Sequence, residues 1–292
     1  MPIAIQHQSC KPNATVTFDF HDNVLAHVVG VGYWKFAFAK DDHHVRRLAL
    51  AVDANKTAPG QVTARVTATL DDDSGHGIDP NGSSVMVSCI AVVTASDSNI
   101  VLADVKPGTG SDSATLTNSA AAIGSAFLSG MSLTQPRDHH VMRLEATVGV
   151  RQNGNQAQAT GQASLCDASG NVSDGAIAAG MVVTTPTERG ILSRSVCDRQ
   201  TGENETVVVD FGVPLAKEAA VMLQSLVVAF NGNDHHVLTI GAGCTNWKAE
   251  GTKLTLDNAR AFITDDTSHV QDNGESRVSL VVFALPSGQA AA

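Results

Sequence analysis

The tetrapeptide Asp-His-His-Val occurs three times, at Asp42–Val45, Asp138–Val141 and Asp234–Val237, each copy 96 residues after the one before. These pairs hold six of the eleven histidines, too many for chance. An imidazole beside a carboxylate donates and accepts hydrogen bonds near neutral pH and is a ligand for transition metals. Two copies carry an arginine four residues beyond the first histidine, Arg47 and Arg143, where the third has Thr239. A guanidinium with a carboxylate and an imidazole presents planar donors and acceptors suited to sugar hydroxyls or to a carboxylate. The candidate ligand-binding residues are therefore Asp42, His43 and Arg47, then Asp138, His139 and Arg143, then Asp234 and His235. Adjacent strand residues point to opposite faces, so the two histidines of one pair do not chelate a common ion unless a bulge intervenes. Whether any of these sites takes a metal is left open.

A second recurring segment follows downstream, Asp72-Asp73-Ser74-Gly75-His76 in the first copy and Asp265-Asp266-Thr267-Ser268-His269 in the third. The middle copy reads Asp167-Ala168-Ser169-Gly170-Asn171. One reading places Asp72, Asp73 and His76 beside Asp42 and His43 as a metal or ligand site, with Asp265, Asp266 and His269 as the counterpart. The other reading is a tight turn capped by Asp and Ser or Thr side chains. Calcium takes about 6–8 oxygens, more than this segment offers. Trp247, in the polar context Cys244-Thr245-Asn246-Trp247-Lys248, is a candidate stacking platform. No nucleophile elbow, phosphate loop, dinucleotide fingerprint or His-Glu-x-x-His is present, so no catalytic residue is assigned and an enzyme is not expected.

The elements that must position these residues are strands. Beyond each histidine pair, apolar residues alternate with period two: Leu48, Leu50, Val52; Leu144, Ala146, Val148; Leu238, Ile240, Ala242. This alternation sets the second histidine at the head of an inward row and the first at the head of an outward row with Val45, Val141 or Val237. Thr-rich alternation predicts further strands over Val62–Leu70 and Leu254–Ile263, and Trp34, Phe36 and Phe38 form a core ladder. Each copy closes on an apolar strand, Val85–Val93, Ala176–Val183 or Val278–Leu285. Leu215–Met222 is the only plausible helical turn. In the middle copy the ladder slips by one residue, so the odd-numbered Met131 and Leu133 face inward as partners of Phe36 and Phe38. The fold class is thus all-β: three tandem antiparallel β-sandwich repeats of about 96 residues, over 1–100, 101–197 (the degenerate copy) and 198–292, arranged as a single-chain pseudo-trimer or a linear array.

Composition narrows the function. Twenty-nine acidic residues against nineteen basic ones give a net charge of −10, which argues against gripping a nucleic-acid backbone. No apolar run approaches the roughly 20 residues of a membrane span. The five cysteines form no Cys-x-x-Cys pair, so neither a disulfide framework nor a zinc knuckle is expected, and no cofactor is implied. Met1–Lys11 reads as no secretory signal, which predicts a chain cytoplasmic as synthesised and then released or assembled into a particle.

The early aromatic strand, the Asp-Asp-Ser/Thr turn and the terminal strand together resemble the H-type lectin domain. The residues that carry the likeness are Ile263-Thr264-Asp265-Asp266-Thr267 and Val278-Ser279-Leu280-Val281-Val282-Phe283-Ala284, with Asp71-Asp72-Asp73-Ser74 and Val87-Ser88-Cys89-Ile90-Ala91 in the first copy. The resemblance implies six-stranded sandwiches that trimerise and bind N-acetylgalactosamine-type sugars at subunit borders. It makes a non-catalytic, lectin-like carbohydrate-recognition protein the leading expectation, with a glycan or a protein surface as partner. The alternative is a structural or receptor-binding component of a phage or virus particle, tail or injection system.

Overall fold

The computed structural model describes residues 3–93, 99–108, 110–116, 121–170, 172–188, 190–202, 205–232, 235–267, 271 and 274–288. Among these the chain is all-β, with antiparallel strands and no helix. No helix long and apolar enough to cross a membrane occurs among them. The first third carries β1 (Ile3–Cys10), β2 (Thr15–Asp19), β3 (Val24–Ala37), β4 (Val45–Ala58), β5 (Gln61–Asp71) and β6 (Ser84–Val93). The middle third carries β7 (Ile100–Gly108), β8 (Ser111–Thr115), β9 (Ile123–His139), β10 (Arg143–Asn153), β11 (Gln156–Cys166) and β12 (Val172–Thr184). The last third carries β13 (Leu192–Arg199), β14 (Thr206–Asp210), β15 (Leu215–Ala229), β16 (Thr239–Gly243), β17 (Asn246–Glu250), β18 (Lys253–Asp257), β19 (Arg260–Thr264) and β20 (Arg277–Pro286).

Strand pairing crosses between the thirds at three joints. β3 pairs with β16, β9 with β4, and β15 with β10. At these joints Phe36 lies opposite Ile240, Leu133 opposite Leu48, and Val228 opposite Leu144, all six fully buried. Each third thus lends one strand to each of the other two, and the pairing runs round in a closed cycle.

Two kinds of strand result. β4 and β5 bury one face only, and their sequences alternate apolar and polar residues. β6 and β20 are buried on both faces and read as near-continuous apolar runs. Their second face enters an apolar cluster drawn from all three thirds, including Ile3, Val28 and Ile90, Phe127 and Val182, and Met222 and Phe283. Phe127 and Phe283 meet edge to face there, with ring centroids 5.7 Å apart. Gly30 and Gly180 flank the Phe127 ring so closely that a Cβ at either would overlap it. Only glycine fits at these two positions.

Several sequence expectations change. Leu215–Met222 is the start of strand β15, not a helical turn, and its Ala219–Leu223 stretch is buried. The strand expected over Leu254–Ile263 is two strands, divided where Asn258 takes a left-handed backbone (φ 53°). In β9 the odd-numbered Met131 and Leu133 are buried and Ser132 is exposed, as the slipped register requires. Their partners differ by one step, however. Leu133 faces Leu48 as Phe36 faces Ile240, and Met131 faces Leu50 as Trp34 faces Ala242, so Met131 and Leu133 stand in the places of Trp34 and Phe36. The extra residues are absorbed between Thr134 and His139, where the register against β4 shifts.

Candidate functional site

The three Asp-His-His-Val segments join each other through their backbones. His43 and Val237 exchange two hydrogen bonds (3.0 and 2.8 Å), as do Val141 and His235 (2.9 and 3.0 Å), and Val45 pairs with His139. The first histidine of one segment therefore pairs with the valine of another, in the same closed cycle as the strands. Val45, Val141 and Val237 are fully buried by it. This corrects the outward row expected for them. The inward row proper begins only at Leu48, Leu144 and Ile240, because the ladder is irregular between each valine and the third residue after it.

The same irregularity turns the second histidines toward one another. The His44, His140 and His236 rings have mutual centroid distances of 4.6, 4.3 and 4.6 Å. His44 and His140 stack with planes 12° apart, and His236 meets both at a steep angle. His236 Nε2 lies 3.3 Å from His44 Nε2, and its Nδ1 lies 3.2 Å from Asp42 Oδ1. Burial, then the neighbouring His236 and His140 rings, push the His44 imidazole below its ordinary range. Each of the three rings offers a nitrogen, all within 4.8 Å of one another, and all three residues are partly exposed.

The first histidines are partly buried. His43, His139 and His235 face the buried carboxylates of Asp72, Asp167 and Asp265, with Nδ1–Oδ2 separations of 3.6, 3.0 and 4.0 Å. Phe38 and Phe230 pack edge-on against His43 and His235. The facing carboxylates are held by the turn chemistry expected of Asp with Ser or Thr. Asp72 Oδ1 accepts from the backbone NH groups of Ser74 and His76, Asp167 Oδ1 from Ser169, and Asp265 Oδ1 from Thr267. Burial raises the Asp72 carboxyl, but the His76 ring and the two NH groups outweigh it and hold it below the usual range. In the first third His76 adds its ring, stacked on His43 with centroids 3.9 Å apart and Nδ1 2.6 Å from Asp72 Oδ2. His43, Asp72 and His76 thus converge as the sequence suggested, beside an open groove that Lys40, Asp41 and Gly77 also line. Asp42 and Asp73 do not join them. Asp42 turns to His236 and to the Asp266 NH (3.4 Å). Asp73 turns to Arg46 and exchanges contacts with Asp138, whose Oδ1 accepts from the Asp73 NH at 2.7 Å. Asp234 and His269 lie outside the described residues.

The arginines also find internal partners. Arg47 makes a two-pronged ion pair with Asp71, and Arg143 bridges Glu145 and Glu275 (3.1 and 2.9 Å). Trp247 is no exposed platform. It is 9% exposed in β17, donates from Nε1 to the Ala219 carbonyl at 3.1 Å, and packs on His7. An indole in a polar stretch became core because Asn246 and Lys248 point to the opposite face of the strand.

The arrangement gathers imidazole nitrogens and carboxylate oxygens, groups that exchange hydrogen bonds or ligate a metal. Sequence reasoning treated His44, His140 and His236 as core-edge residues. Their signal was the repeat itself: the three tetrapeptides pair with one another, and the second histidine of each then lies against the other two. Compared with protein families and with curated proteins, the chain matches none.

One consequence concerns stability. Removing the imidazole 3.0 Å from the buried Asp167 is expected to cost about 1–3 kcal/mol, the penalty for desolvating a polar group with a lost partner. His139→Ala should lower the urea midpoint accordingly. An unchanged midpoint would show that the histidine is only a surface group.

Proposed function

We propose that this protein is a non-catalytic structural protein built from three β-sandwich repeats closed into a single-chain pseudo-trimer, and that it self-assembles into a larger particle. The repeats cover about 1–100, 101–191 and 192–292, the last boundary standing before Leu192 and not at 198 because β13 pairs with β20. The observation that carries this reading is where the recurring polar residues go. Asp42, Asp138, Arg47 and Arg143, the groups best suited to a polar ligand, are engaged with other parts of the same chain. Asp42, Asp138 and Arg143 tie one third to another, through His236, Asp73 and Glu275, and residues used in that way suit a building block.

A lectin-like reading is favoured by one feature, the groove beside His43 and His76. Its Lys40, Asp41 and imidazole groups supply the donors and acceptors that sugar hydroxyls need. Two measurements separate the readings. Sedimentation should give a single-chain species of 30.3 kDa when dilute and ordered higher species as concentration rises, with a blank glycan array. A chain that stays single up to its solubility limit would overturn self-assembly. Sugar binding lost on His76→Ala would establish recognition in its place.

A further inference from the structure

We propose that His44, His140 and His236 together bind one divalent transition-metal ion of the zinc class, making a metal centre where the three thirds of the chain meet. This goes beyond the structural reading and stands on the geometry of the cluster alone.

Three neutral imidazoles are the protein half of a common four-coordinate site, in which a fourth position is left to water or another ligand. With metal–nitrogen bonds of about 2.0–2.1 Å, a tetrahedral site sets its nitrogens about 3.3–3.4 Å apart. His236 Nε2 and His44 Nε2 are 3.3 Å apart already, and a ring nitrogen of each of the three histidines lies within 4.8 Å of the others. The second shell is also present. Asp42 accepts from His236 Nδ1, which fixes the tautomer that leaves the Nε2 lone pair facing the cluster. Nitrogen-only donors favour zinc, copper, nickel or iron over calcium or magnesium, which take oxygen. The other convergent group, His43, Asp72 and His76, is a poorer candidate. Asp72 Oδ1 already accepts two backbone NH groups, Oδ2 is engaged by His76, and the middle copy has Asn171 where His76 stands.

The test uses tag-free, full-length protein stripped with a chelator and titrated with Co²⁺, whose visible spectrum reports tetrahedral nitrogen ligation, and with Zn²⁺ by calorimetry. One ion per chain is expected. Asp42→Asn keeps all three ligands and should weaken binding about 10–100-fold, the range for losing a second-shell partner. His236→Ala and His140→Ala should weaken it further and abolish the tetrahedral cobalt spectrum, with circular dichroism confirming that each variant is folded. Because Asp42→Asn removes no ligand, it remains informative if a histidine variant fails to fold. The double change His43→Ala, His76→Ala should leave stoichiometry and affinity unchanged. No stoichiometric binding by the folded wild-type chain would overturn the proposal, as would binding that is lost with His76 and kept without His236.

Discussion

A chain consisting of residues 1–100 alone is expected not to persist as a folded monomer. In the whole protein its β3 is paired along Tyr33–Ala37 with β16 from the last third, and its β4 with β9 from the middle third. Cut free, both edges present unpaired NH and CO groups, a template for association. The fragment also loses the cover over Ile3, Ile5, Val28, Ile90 and Val92, which all face the cluster shared by the three thirds. Each such side chain is worth about 1.5–3 kcal/mol when buried. Five of them, about 7.5–15 kcal/mol together, are comparable to the whole stability of an ordinary domain, about 5–15 kcal/mol. The fragment should therefore be unfolded or associate into trimers that restore the missing pairs. Sedimentation combined with urea unfolding decides the matter, and a monomer with a sharp cooperative transition would show that each third is an independent domain.

Phe127→Ala is expected to be the most damaging single truncation, by about 3–5 kcal/mol, the range for removing a buried aromatic side chain. The ring is fully buried, touches Phe283 of the last third, and is enclosed by Gly30 of the first third and Gly180 of its own. The two glycines that admit the ring have no side chains with which to collapse into the space it leaves. The cavity therefore stays open, which places the cost toward the top of the range. Chemical denaturation of the variant against wild type reads it directly, and a loss below about 1 kcal/mol would mean that the shared cluster is loosely packed. Filling the variant with a small apolar ligand such as benzene should restore part of the loss, because a dry apolar cavity binds such molecules.

Much of the architecture was legible in residue order. Alternation over β4, β5 and β10 marked half-buried strands, and the apolar runs of β6 and β20 marked closing strands, which the structure buries on both faces. The same period-two rule located the slipped register of the middle copy from Met131 and Leu133. It failed for Leu215–Met222, where Ala, Lys, Glu and Met favour a helix by propensity. Pairing with β20, from Leu215 opposite Pro286 to Met222 opposite Val281, overrode that local preference.

The candidate site was legible only in its parts. Sequence by itself determined that an aspartate and two histidines recur 96 residues apart, that Asp72 and His76 share a turn, and that these lie at strand heads. Tertiary structure alone decided which histidine goes where. Strand alternation sends neighbouring side chains to opposite faces, but it holds only while the ladder is regular. Each Asp-His-His-Val segment is instead bound to the next by backbone hydrogen bonds from His43 to Val237, His235 to Val141 and His139 to Val45, with an irregularity directly after. Those bonds join residues far apart in sequence, and no local pattern encodes them. They bury the valines, press the first histidines onto Asp72, Asp167 and Asp265, and bring the second histidines within ring contact of one another.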